Sequence, residues 1–144
     1  MDISSGHLRQ IYAHAVQCYP YECFGFLVGV QEGCIRVVRV VPATNAQAGR
    51  PDRFEMAAEE FLAVESVAER DGFEVLGFYH SHPDWPPIPS KDDLRLAWSH
   101  SWYMIVSISS WHPAGVSVWL LSDDQPRRFV QVPLAVVDDL PIAD

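Results

Sequence analysis

Proline and glycine divide this sequence into short segments. Pro20, Gly33, the stretch from Pro42 to Asp52, Asp71-Gly72 and the run from Pro83 to Pro89 each interrupt regular structure, which leaves room only for short helices and strands between them. Ser4 or Ser5 can cap a first helix through about Cys18, where Leu8, Ile11, Tyr12, Ala15 and Val16 recur at helical spacing until Pro20 blocks continuation. Cys23 to Val30 and Cys34 to Val41 are rich in β-formers on either side of Gly33, and read as a hairpin. Pro42 to Asp52 reads as a loop. Met56 to Arg70 carries strong helix formers, with Phe61, Leu62, Val64 and Val67 available for a buried face.

Beyond Asp71-Gly72, Phe73 to His82 reads as a strand running out of the core into the proline-rich loop, and a short helix from about Ser90 to Trp98 follows. Trp102 to Ser107, Gly115 to Leu121 and Arg127 to Val132 complete the strands. No repeat or linker interrupts this series, and 144 residues is an ordinary domain size. The expectation is a single domain over residues 1–144 of class α/β (α+β), a mixed β-sheet with flanking helices.

Composition narrows the function classes. A net charge of -9 without a basic stripe argues against nucleic acid, because affinity for a phosphate backbone comes mainly from Lys and Arg. No apolar run approaches the roughly 20 residues that span a bilayer, so no membrane partner is expected. The opening MDISSGHLRQ lacks a basic region leading into a long apolar stretch, so the expected compartment is the cytoplasm. The three cysteines, Cys18, Cys23 and Cys34, are odd in number and lack zinc-ribbon spacing, and read as free thiols.

The chemistry gathers around His80 and His82. Alternate side chains on a strand share a face, so these two imidazoles point the same way with α-carbons about 6.6 Å apart. Pro83 is expected to stop the strand there and place both rings at a sheet edge open to solvent. A catalytic zinc takes three protein ligands and keeps one position for water, and a mixed imidazole and carboxylate set suits it. Asp93, in the first turn of the next helix, is the best third ligand by position, although spacing alone leaves Asp92 in competition. Ser90 shares the face of Asp93, and a serine opening a helix after Pro89 also serves as a cap. His7, His14, His100 and His112 stand apart and read as ordinary surface or core residues.

His80-Ser81-His82-Pro83, the run to Pro89, and Ser90-Lys91-Asp92-Asp93 together resemble the signature of the JAMM metallopeptidases of the MPN (Mov34) superfamily. Glu22, in Pro20-Tyr-Glu-Cys-Phe-Gly-Phe-Leu-Val-Gly29, stands in a context similar to that of the family's upstream glutamate. The resemblance extends over nearly the whole chain in element order. It implies an MPN/JAB-like fold of cytidine-deaminase-like architecture and one Zn2+ per chain held by His80, His82 and Asp93, which settles Asp93 over Asp92. It further implies Glu22 as the acid/base that activates the zinc water, and Ser90 as a stabiliser of the oxyanion.

The reaction implied is hydrolysis of an amide or isopeptide bond. The compact length resembles that of bacterial-type members acting at the C-terminus of ubiquitin-like sulfur carriers, so the expected partner is such a carrier, or a peptide, cut after a Gly-Gly tail. The tail is expected to bind as an extended strand beside a free sheet edge. Rival readings are a metal-free MPN scaffold, which lacks one or more ligand residues, and a general small-peptide hydrolase. A nucleobase deaminase needs His-x-Glu and Pro-Cys-x-x-Cys, absent here, and a barrel amidohydrolase needs about 250 residues. Trp85 and Ile88 are candidate contacts for substrate or a second subunit.

Overall fold

Ser4 adopts an extended backbone and its hydroxyl accepts the His7 amide, which opens the first helix where the sequence allows a cap. A computed structural model describes residues 1–44 and 58–138 of the chain, so the expected loop beyond Thr44 and the first residues of the expected second helix lie outside the described residues. The elements are β1 (Asp2–Ser4), α1 (Ser5–Cys18), β2 (Phe24–Glu32), β3 (Cys34–Pro42), α2 (Ala58–Arg70), β4 (Glu74–Pro83), α3 (Lys91–Leu96), β5 (Trp102–Ser109), β6 (His112–Ser122), β7 (Arg128–Val132) and β8 (Ala135–Val137). They build one mixed sheet in the order β7-β6-β5-β4-β2-β3-β1-β8. The β2–β3 hairpin, the β5–β6 hairpin and the β2–β4 pair are antiparallel, while β4 and β5 run parallel across the connection that carries α3.

The sheet has a core on each face. Ile11 and Ala15 of α1 pack with Leu27, Tyr79, Met104, Val106 and Val118 on one side, and Leu8, Tyr12 and Val16 join them. On the other side Phe61 and Val64 of α2 pack with Phe26, Phe78 and Tyr103. Only half of the apolar face expected for α2 is used, since Leu62 and Val67 are exposed. Two close approaches hold β4 in place: a Cβ on Gly77 would lie 1.8 Å from the Trp102 carbonyl oxygen, and one on Gly25 would meet the Tyr79 ring at 2.4 Å.

Two expectations need correction. β1 and β8 were not anticipated; they are three residues each and pair in parallel with each other, β1 also pairing with β3. Pro83 does end β4, but it remains in register with Ile108 of β5, so the end of the strand lies inside the sheet. The Ser81 amide points toward β2, so the missing N–H of Pro83 falls on the same side, where β2 has already ended, and no ladder bond is lost. His80 and His82 therefore lie on an interior strand between β5 and β2, buried, and not at a sheet edge.

Candidate metal centre and active site

Alternation along β4 puts Phe78, His80 and His82 on the α2 face, and the loop after Pro83 folds back over that face. Three consecutive loop carbonyls are pinned to three adjacent strands. The Ser107 hydroxyl on β5 donates to Trp85 O at 2.5 Å, His82 Nδ1 on β4 donates to Pro86 O at 2.8 Å, and the Ser117 hydroxyl on β6 donates to Pro87 O. Ser107 and Ser117 are buried polar residues, and Trp119 donates its indole N–H to Ser117 at 2.7 Å. Sequence reasoning missed both serines, since a single serine in a strand carries no spacing signal.

The pinned loop delivers α3 to the histidines. Ser90 caps α3 by a reciprocal pair: its hydroxyl accepts the Asp93 amide at 3.0 Å, and its own amide donates to Asp93 Oδ2 at 2.8 Å. The far end of the helix is held by Arg127, which donates to the carbonyls of Leu94 and Ala97. The capping function allowed for Ser90 is thus real, and it also orients the Asp93 carboxylate.

His80, His82 and Asp93 form a cluster that can hold a metal ion. His80 Nε2 and His82 Nε2 are 3.1 Å apart, His80 Nε2 is 3.2 Å from Asp93 Oδ1, and His82 Nε2 is 3.1 Å from Asp93 Oδ2. Donors about 2.0–2.1 Å from a tetrahedral zinc stand roughly 3.3 Å from one another, so the two imidazole nitrogens have the spacing of two such ligands, and each faces one oxygen of the Asp93 carboxylate. The tautomer agrees. A carbonyl can only accept, so His82 donates from Nδ1 to Pro86 and turns Nε2 to the cluster, where it can give a proton to Asp93 or, deprotonated, a lone pair to a metal, the usual outer support of a metal-binding histidine. Two imidazoles and a carboxylate are a zinc-type donor set, and the residues fit the ion. Asp92 instead points to Arg95 at 3.2 Å and is not in the cluster.

The local field favours an anionic Asp93. Burial works to raise its pKa, but the charge of His80 and hydrogen bonds from His80, His82 and the Ser90 amide outweigh this and hold the carboxyl far below the usual range. Burial pulls His82 down, yet the Asp93 hydrogen bond, the Pro86 carbonyl and the charges of Asp93 and Glu22 leave its pKa above the ordinary value.

Glu22 comes close enough to this centre for its charge to act on His82. It lies just before β2, opposite the end of β4, and lines a cleft of about 500 Å³ together with Pro20, His82, Pro83, Asp84, Trp85, Ser90 and Asp92. The rim is braced by Tyr19, whose hydroxyl donates to the Asp84 carboxylate at 2.7 Å, and Trp111 packs edge-on to Tyr19. Trp85 and Ile88 are exposed beside it. Among the described residues the outer strands of the sheet, β7 and β8, carry none of these residues. Of the other histidines, His14 bonds the Tyr79 hydroxyl at 2.8 Å behind the site, and His7, His100 and His112 lie away from it.

A mixed sheet with such a donor set at the end of an interior strand defines the class: residues 4–122 match the family described as prokaryotic homologs of the JAB domain, and the chain belongs to it. It is similar to the desampylase of Pyrococcus furiosus, at 33% identity over 132 residues, covering 90% of this chain and 87% of that protein. It is also similar to the CysO-cysteine peptidase of Mycobacterium tuberculosis, at 36% identity over 102 residues, covering 69% of this chain and 68% of the relative. A solved structure of a protein from Desulfitobacterium hafniense matches with a TM-score of 0.84 at 30% identity, over 96% of this chain and 94% of that one.

Proposed function

We propose that this chain is one zinc metallopeptidase domain over residues 1–144 that hydrolyses the amide bond following the C-terminus of a ubiquitin-like carrier or modifier protein. The observation that carries the reading is the convergence of His80, His82 and Asp93 at 3.1–3.2 Å, with His82 opening onto a cleft that Glu22 and Ser90 also line. The family membership and the peptidase names of its relatives support it. With no helix among the described residues long and apolar enough to cross a membrane, and Cys18, Cys23 and Cys34 free, we place its work in the cytoplasm.

His80, His82 and Asp93 would hold one zinc. When bound, zinc supplies Lewis acidity, lowering the pKa of water toward about 7 and polarising the scissile carbonyl. Glu22 takes the proton of the attacking water and passes it to the leaving amine. Because the Ser90 oxygen accepts the Asp93 amide, its hydroxyl hydrogen is left to donate to the carbonyl oxygen as negative charge develops there. The cleft, and not a sheet edge, receives the substrate tail, and a side-chain-free Gly-Gly passes most easily between the segment at Pro20 and the loop at Trp85.

The test is mass spectrometry of a ubiquitin-like carrier ending in Gly-Gly and extended by one amino acid. The zinc-loaded protein should remove the extension, and chelator should prevent it. An intact extension, alongside efficient cutting of an unrelated short peptide, would replace this reading with a general peptide hydrolase.

A further inference from the structure

Ser81 sits between the two histidines but points the other way, into the α1 face, and is 1% exposed. Its surroundings concern Glu22. The Ser81 amide donates to Cys23 O at 3.0 Å, one half of the exchange that an antiparallel hydrogen-bonded pair normally makes. The other half is replaced: the Cys23 amide donates to the Ser81 side-chain oxygen at 2.8 Å, inside the protein. From Phe24 to Leu27 the β2–β4 register is regular, with Phe24 opposite His80 and Phe26 opposite Phe78. The substituted bond therefore lies at the point where the chain leaves the sheet, one residue after Glu22.

We propose that Ser81 is a positioning residue for Glu22, its hydroxyl fixing the Cys23 amide and through it the place of the Glu22 carboxylate over the metal side of β4. The inference rests on the functional reading above, and adds that the residue between the histidines couples the metal-bearing strand to the acid/base. A tether of this kind sets geometry: the Cys23 side chain is buried at 1% exposure, so loss of the bond would free the Glu22–Cys23 peptide group rather than the core, and the displacement would fall on Glu22. A small misplacement of a reacting group costs rate out of proportion to its size.

The test compares Ser81→Thr with Ser81→Val, side chains of nearly one shape that differ in whether they carry the hydroxyl. Both are made in the wild-type chain and in the Glu22→Gln background, with zinc content and the trimming rate of the extended Gly-Gly carrier measured for each. With zinc equal, kcat of the Thr variant should exceed that of the Val variant about tenfold or more, with KM similar. In the Glu22→Gln background the ratio should fall to about one, because the group being positioned is gone. Equal kcat for the two variants overturns the proposal. So does a ratio that persists undiminished without the carboxylate, since Ser81 then acts by another route. A Glu22→Gln protein as active as wild type overturns the acid/base assignment itself, a distinct failure.

Discussion

Replacing Ser90 with alanine separates the cap its hydroxyl forms from the catalytic role proposed for it. As a cap it accepts the Asp93 amide at 3.0 Å, and losing such a cap costs typically about 1 kcal/mol. In a chain of 144 residues that lowers the melting temperature by only a few degrees, roughly 2–8 °C. As a donor to the developing oxyanion it would be worth about 3–4 kcal/mol, a fall of roughly a hundred- to a thousandfold in kcat. The cap also aims Asp93 at the metal, so zinc affinity should weaken by about tenfold or more, and kcat must be read at saturating zinc. Thermal melts by circular dichroism and single-turnover trimming of the extended carrier measure the two effects independently. Asparagine at this position restores the cap and supplies an N–H donor, so Ser90→Asn should recover the melting temperature and part of the rate. A Ser90→Ala protein that melts lower but keeps kcat within about threefold at saturating zinc would refute the catalytic role and leave a cap alone.

Other perturbations should behave as follows. Glu22→Gln should retain zinc by elemental analysis while losing at least about a hundredfold in kcat, and normal turnover would move the base elsewhere. Ser107→Ala leaves the Trp85 carbonyl without its buried donor and should cost about 1–3 kcal/mol in chemical denaturation; an unchanged midpoint would show that the loop needs no such pin. Protons compete with zinc for His82 Nε2. Since the folded protein holds the His82 pKa above its ordinary value, calorimetric zinc affinity should already weaken as pH falls from about 8 to about 6, and a pH-independent affinity there would contradict the assigned ligand.

The legible part of the site was the part written locally in the chain. His80 and His82 are two residues apart on a strand, and Asp93 follows across one short loop, so strand alternation and helix-opening chemistry suffice to bring them together. Glu22 was reached through family resemblance, because its approach depends on the antiparallel pairing of β2 with β4, which no local spacing encodes. The contacts of Ser81, Ser107 and Ser117 were not legible for the same reason: each acts on a backbone group remote in sequence. The main elements followed from apolar periodicity and from proline and glycine, whereas β1 and β8 have too few residues to show alternation. Leu62 and Val67 carried a helical stripe wider than the sheet face available to cover it. The end of β4 was misread as a sheet edge, since the neighbours that flank a strand's end are fixed by the register and not by the proline.

The central claim is that a metal held by His80, His82 and Asp93 and a proton carried by Glu22 act in one hydrolysis. The direct measurement strips the protein with chelator, removes the chelator, and titrates zinc back while following trimming of the Gly-Gly carrier. The account predicts that activity vanishes on stripping and returns in proportion to added zinc up to one ion per chain. It also predicts that the Glu22→Gln protein takes up the same ion without regaining activity. Trimming that survives complete removal of zinc, or that zinc restores equally to the Glu22→Gln protein, would contradict it.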